Sequence, residues 1–412
     1  MKSRLLLLLL VVFQLSFAQQ RSCGMEGKMQ EMLFNPLLKQ QYEAQIEKSD
    51  KELQRLQNSS AKVYSPNVTY IIPVAVHFPS GLNSQRSCLV ALAQSQIDIL
   101  NNDYNAMNAD LATWNTTTSS FFPGVNPGVI DVQFVLATQN HPSGFDANLV
   151  NGQPCVTIGY NFAQFSDWNS NWAGYLNIVV DSLNGGTLGY AYLASSPSNG
   201  AAVFIDKNSF GSGTGCGTIA PQSPYNLGRT LTHELGHYLN LNHIWGSGTC
   251  GDDQVADTPQ HNTANYGCPN IFHFSSCTGT PRELTMNYMD YTNDSCMYMF
   301  TAGQAQRSVA HLNTIYSAFN QNTLLSSDIV VKNDFAIYPN PNNGTFEIQL
   351  AELEEAFVVN VYDNTGRVVY TKDFSQTSSL TQTVNLENVS SGIYLVSVKG
   401  SNATITKKIV IQ

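Results

Sequence analysis

Charge is scarce in this chain: Asp, Glu, Lys and Arg make up 12% of its 412 residues, against about 25% in ordinary globular proteins. Asn, Ser, Thr and Gln fill the gap. Basic residues are scarcer still, since 20 Lys and Arg against 30 Asp and Glu give a formal charge of −10. Nucleic acid is excluded as a partner, because binding it requires a basic patch. Long apolar runs are also missing. The stretch Leu5 to Phe13 falls well short of the roughly 20 residues that cross a bilayer. With Lys2 and Arg4 before it and the small residues Ser16 and Ala18 after it, residues 1–18 read as an export signal. The mature chain is expected outside the cytoplasm, without a transmembrane segment.

Cysteine is present in moderation, at 23, 88, 155, 216, 250, 268, 277 and 296. In an exported chain this suggests disulfides. Four of the eight fall within 250–296, where loops are expected, and Cys23 stands far from the rest.

Hydrophobic spacing divides the chain. Residues 19–61 are polar, with an amphipathic helical run LLKQQYEAQIEKSDKELQRLQ and too few apolar residues for a core of their own; they read as an appendage. From residue 62, VTYIIPVAVHF, VIDVQFVLA, YLNIVVDSL and AAVFID are strands by β-branched content or alternation, and SQIDILNNDYNAMN is an amphipathic helix. These elements and the cysteine-rich loops predict one α+β domain over 62–327. Residues 328–412 carry short alternating strands separated by Asn-Pro, Asn-Gly and Asn-Thr-Gly turns, which predicts a small all-β sandwich.

The densest chemistry lies in TLTHELGHYLNLNHIWG, Thr230 to Gly246. Positions four apart share a helix face, so His233 and His237 can offer two ring nitrogens to one metal with Glu234 beside it. A catalytic site needs a third ligand and an open position for water. His243 supplies that ligand only if the helix stops near Asn240 and the chain turns back. Asn tolerates the left-handed conformation such a stop requires. The alternative is a merely polar helix face. Met289, in MNYMDYTND, follows His243 by 46 residues; alone it reads as core packing.

Together, HELGHYLNLNH, NYMDY, the run CMYMFTAGQAQR from Cys296 to Arg307, and GDDQVADTP resemble the pappalysin branch of the metzincin metalloproteases, over about residues 62–320. The ending, with YPNPNNGTFEI and YLVSVKG followed by ITKKIVI, is similar to the sorting domain of type IX secretion cargo. The alternative for this part is a carbohydrate-binding or spacer sandwich.

The resemblance implies a mixed twisted sheet with an active-site helix and an irregular C-terminal subdomain. It implies zinc on His233, His237 and His243, Glu234 as general base and acid, Met289 in a turn beneath the histidines, and Tyr291 supporting the tetrahedral intermediate. Asp294 would lie in the pocket for the side chain after the scissile bond and favour Arg or Lys; it could equally cap a turn. The pairs Cys250–Cys277 and Cys268–Cys296 are borrowed from the family, leaving Cys88, Cys155 and Cys216 unassigned with at least one unpaired by parity. Asp252, Asp253, Asp257 and Thr258 resemble a calcium site, or form a solvated acidic loop. Cys23, in RSCGMEG, would cap the zinc in a latent state, or pair with a leftover cysteine. The expectation is a secreted or cell-surface zinc endopeptidase made as a zymogen, acting on proteins or peptides and meeting the secretion machinery through its C-terminal domain. The competing expectation is a surface adhesin on an inactive protease scaffold.

Overall fold

The computed structural model describes residues 20–58, 70–143, 146–160, 162, 169–324, 335–350, 356–363, 367–375, 381–386, 389–399 and 404–412. The expected export segment 1–18 and the junctions near 61 and 327 lie outside them. The chain divides into two compact units, Met1–Ser326 and Ser327–Gln412. Among the described residues no helix is long and apolar enough to cross a membrane.

The first unit opens with α1 (Met25–Leu33) and α2 (Pro36–Asn58), then β1 (Tyr70–Phe78), α3 (Arg86–Tyr104), β2 (Val132–Leu136), β3 (Val156–Ile158), β4 (Leu176–Asp181), β5 (Gly189–Tyr190), β6 (Ala202–Asp206), α4 (Arg229–Tyr238) and α5 (Ala302–Ile315). Its sheet has the order β2-β1-β4-β6-β5, with β3 also paired to β1. β1, β2, β3, β4 and β6 run parallel, and among the described residues only β5 is antiparallel, at the edge beside β6. β1 is buried along nearly its whole length, as a parallel strand covered on both faces must be. α3 stands between β1 and β2, so strands and helices interleave. Its buried Leu89, Leu92, Ala93, Ile97 and Leu100 recur at helical spacing and cover the sheet.

The expected appendage is part of this unit. α2 lies on α5 through polar contacts: Gln45 Nε2 donates to Thr314 Oγ1 at 2.7 Å, Ser49 Oγ meets His311 Nδ1 at 2.9 Å, and Asn313 Nδ2 donates to Glu52 Oε1 at 2.7 Å. Asp50 lies 3.6 Å from Arg307. Ser49 is the one α2 residue fully buried.

The second unit holds β7 (Phe335–Tyr338), β8 (Thr345–Leu350), β9 (Ala356–Tyr362), β10 (Val368–Ser375), β11 (Thr381–Asn385), β12 (Gly392–Lys399) and β13 (Thr404–Ile411). They form two antiparallel sheets, β10-β9-β12-β13 and β11-β8-β7. Phe346, Ile348, Val359, Val361, Val384, Val396 and Ile409 fill the core between them, each from the inward half of an alternating strand.

Candidate active site

All ten residues of α4 are buried. The helix ends in a Schellman arrangement: the Leu241 N–H bonds the Gly236 carbonyl and the Asn240 N–H bonds that of His237, both at 2.9 Å, with Asn240 left-handed at φ 70°. Arg307 holds the turn by donating to the Asn240 carbonyl at 2.8 Å. The chain then reverses, and His243 Nε2 comes within 3.1 Å of His237 Nε2. One ligand atom from each of Cys23, His233, His237 and His243 lies within 4.8 Å of the others.

The outer ring nitrogens are engaged. His233 Nδ1 donates to the Tyr288 carbonyl at 2.6 Å and His237 Nδ1 to that of Leu241 at 2.7 Å. His243 Nδ1 meets Glu26 Oε1 at 3.3 Å. These bonds leave the Nε2 atoms to face one another, and that of His233 is buried without a hydrogen-bond partner. Burial pushes all three imidazoles below their ordinary pKa, so they are neutral. Three neutral imidazoles and one sulfur converging on a point suit a tetrahedral soft-to-borderline cation. Burial, then the charge of Glu234, pushes the Cys23 thiol up; a cation in the cluster would reverse that direction by favouring thiolate.

Glu234 Oε2 lies 3.1 Å from Cys23 Sγ, and burial pushes its carboxyl up to about 8. It fits only because residue 189 lacks a side chain: a Cβ on Gly189 would stand 2.7 Å from Glu234 Cγ. Below the cluster, Met289 Sδ would stand 2.5 Å from a Cβ at Gly236, so this methionine packs directly against the helix. Tyr291 Oη accepts from the Cys23 N–H at 3.3 Å and lies 3.2 Å from His243 Nε2.

Asp294 binds two backbone amides and one guanidinium. Its Oδ2 accepts from the Leu227 and Arg229 N–H groups at 2.8 and 3.3 Å, capping the start of α4. Its Oδ1 binds Arg21 Nη2 at 2.5 Å in a pair that is 1% and 0% exposed. Arg21 also donates to Thr230 Oγ1 and the Thr292 carbonyl, both at 3.3 Å, and lies over the Tyr225 ring. Between Arg21 and α1 the chain pairs with β5 in parallel: the Leu188 N–H bonds the Ser22 carbonyl and the Gly24 N–H that of Gly189, both at 2.8 Å.

The acidic loop comes together only in part. Thr258 Oγ1 donates to Asp253 at 2.9 Å, while Asp257 turns to α5, accepting from Thr301 Oγ1 at 2.6 Å and the Gly303 N–H at 2.8 Å. Asp252 accepts from the Gln254 N–H. Disulfides join Cys88–Cys216, Cys250–Cys277 and Cys268–Cys296; Cys23 and the buried Cys155 are free thiols. Arg21, Glu26 and Gly189 had no place in the sequence expectations. Arg21 and Glu26 stood in the run RSCGMEG around the cysteine, without a role.

Residues 161–313 match the peptidase family described as pregnancy-associated plasma protein-A, and residues 336–412 match the secretion system C-terminal sorting domain. A promirolysin variant from Tannerella forsythia is 33% identical, with 72% of this chain and 95% of that one covered and a TM-score of 0.53. Mature mirolysin from the same organism, solved with a cleaved peptide, is 35% identical over 62% of this chain and 97% of that one, at a TM-score of 0.50. Extracellular metalloprotease 1 of Coccidioides posadasii is 38% identical over 139 residues, 32% of this chain. The chain spans about half the length of the curated relatives it matches, 47% of that enzyme.

Proposed function

The chain belongs to the pregnancy-associated plasma protein-A, or pappalysin, family of metallopeptidases, and on that premise we propose that it is an exported zinc endopeptidase made as a latent zymogen. The observation that carries this is the convergence of His233, His237 and His243 beside Glu234, with Cys23 on the same point. The three histidines would hold the ion, with Cys23 as its fourth ligand before processing. A bound zinc supplies Lewis acidity and a water whose pKa falls to about 7.

The protein's own groups do the rest. Once residues 20–58 leave, a water in the space of the Cys23 sulfur is within proton-transfer distance of Glu234, which takes the proton and later returns it to the leaving amine. Tyr291 Oη loses the Cys23 N–H at the same moment and becomes available to donate to the developing oxyanion. Met289 and Asn240 position the ligands. Asp294, emptied of Arg21, offers a buried carboxylate to the side chain after the cut and selects Arg or Lys. The Arg21–Asp294 pair supports this preference, since a guanidinium already fits the space. Asp253 and Thr258 offer oxygen ligands to a calcium ion, without Asp257. The C-terminal unit would present the protein to the secretion machinery and place it at the cell surface or beyond.

The test is zinc content together with cleavage of casein or a fluorogenic peptide by the processed protein, with and without a chelator. Turnover lost with the metal and restored by zinc supports the reading; zinc bound with no turnover would return the chain to a binding scaffold.

A further inference from the structure

The segment before the catalytic unit fills the cleft on both sides of the histidine cluster, and so far only one side has a use. On that side Arg21 enters the Asp294 pocket. On the other, α1 lays Met25, Met29 and Met32 on Tyr192 and Leu193, and these five side chains form a buried cluster of their own. The partly buried Cys23, Leu33, Leu38 and Tyr42 complete it. Every member except Tyr192 and Leu193 therefore precedes residue 59 and departs when that segment is removed.

Tyr192 and Leu193 continue directly from β5, whose Gly189 pairs with Cys23. They stand three and four positions beyond Gly189, at most about 10 and 13 Å from it at about 3.3 Å per extended residue. The chain then turns at Ala194, φ 51°. The Leu193 N–H donates to Met29 Sδ at 3.3 Å, and a thioether is a weak acceptor. A peptide carbonyl would serve that amide better.

We propose that Tyr192 and Leu193 form an apolar subsite for the substrate residues before the scissile bond. Through it the enzyme selects Met, Leu or a similarly long apolar side chain two to four positions ahead of the cut. This rests on the protease reading, in which Asp294 takes the residue after the cut and the opposite side of the metal takes those before it. The occupant is argued from the segment already seated there. Met25, Met29 and Met32 recur at helical spacing and present one face, and flexible thioether chains follow a shallow, irregular apolar surface closely. A charged or missing side chain at that place would leave both residues uncovered in the complex.

The processed protein is incubated with a proteome-derived peptide library and its cut sites are read by mass spectrometry, beside Leu193→Asp. The expected result is about tenfold enrichment of Met, Leu and Phe over Asp and Gly at one of the three positions, the scale set by burying one apolar side chain. Leu193→Asp should abolish it while basic residues persist after the cut. Cleavage before Arg or Lys with no apolar enrichment ahead of it overturns this inference alone, as does enrichment unchanged in Leu193→Asp. Absence of any cleavage overturns the protease reading and this inference with it.

Discussion

Arg21→Ala tests whether the pair with Asp294 holds the protein latent. Both partners are almost fully buried and 2.5 Å apart, and deleting one member of such a pair costs about 3–5 kcal/mol. Here the cost is at the low end, because Asp294 keeps the Leu227 and Arg229 N–H groups and water enters the emptied space. About 3 kcal/mol corresponds to about 10²-fold in the ratio of released to docked segment. Self-processing would confound the effect with activity, so the measurement belongs in a Glu234→Ala background, reading the rate at which a maleimide labels Cys23. Arg21→Ala should raise that rate by about 10²-fold. Arg21→Lys should fall between, since an ammonium cannot reproduce the guanidinium fork. Arg21→Ala with Asp294→Asn should label no faster than the stronger single variant, because both remove one interaction. Labelling within about twofold of the parent, or effects that multiply, would refute the reasoning.

In Glu234→Ala alone, zinc content should stay at one per chain while turnover falls at least about 10²-fold, the usual worth of general acid–base work; activity within about tenfold of the parent would contradict it. Asn240→Gly should keep wild-type zinc retention against a graded chelator series, whereas Asn240→Val should lose metal at lower chelator, because a β-branched residue is strained at the observed φ of 70°. Glu26→Gln should weaken zinc retention in the unprocessed protein by up to about tenfold, the lower range for the outer partner of a metal-binding histidine, and should have no effect once residues 20–58 are gone. His77 and His311 are held neutral by burial, at about 4, so between about pH 6.5 and 4 these two sites bind more protons in the unfolded chain than in the folded one. Their contribution to stability is complete above that window and is lost as pH falls through it, while Asp103, Asp253 and Asp290, raised by burial to about 6, 7 and 7, contribute with the opposite sign; the change in thermal midpoint from pH 7 to pH 5 should therefore be less destabilising in Glu234→Ala with His77→Asn than in Glu234→Ala alone, and an identical change would exclude the effect.

The histidine cluster was legible because its signal is local. His233 and His237 fall one helical turn apart, and Asn240 marks the stop that lets His243 return. The sandwich was equally readable, since alternation and turn residues lie within a few positions of each other. The α+β class emerged from the same periodicities, but the parallel order of β1, β2, β4 and β6 did not, because pairing between distant strands leaves no trace in spacing. Arg21 and Asp294 are 273 positions apart, and no periodicity links them. The polar character of α2 made residues 19–61 read as an appendage. Its partner face, Arg307, His311, Asn313 and Thr314 on α5, is polar too, so neither side announced the contact. Cys88–Cys216, across 128 residues, was out of reach for the same reason.

The polarity of that contact has a consequence for how activation ends. A helix joined to its partner through a short link meets it at an effective concentration of order millimolar. Cutting the chain between α2 and β1 replaces that value with the bulk concentration of free peptide. A thousandfold drop is worth about 4 kcal/mol. The α2–α5 face, with Gln45, Ser49, Asp50 and Glu52, absorbs little of such a loss, since each of these groups finds comparable partners in water; holding the cut segment then falls to Arg21, Cys23 and the methionines of α1. Once those contacts open, dilution into the medium keeps the segment from returning, and a local cleavage becomes a one-way step without any change in the fold of the catalytic unit.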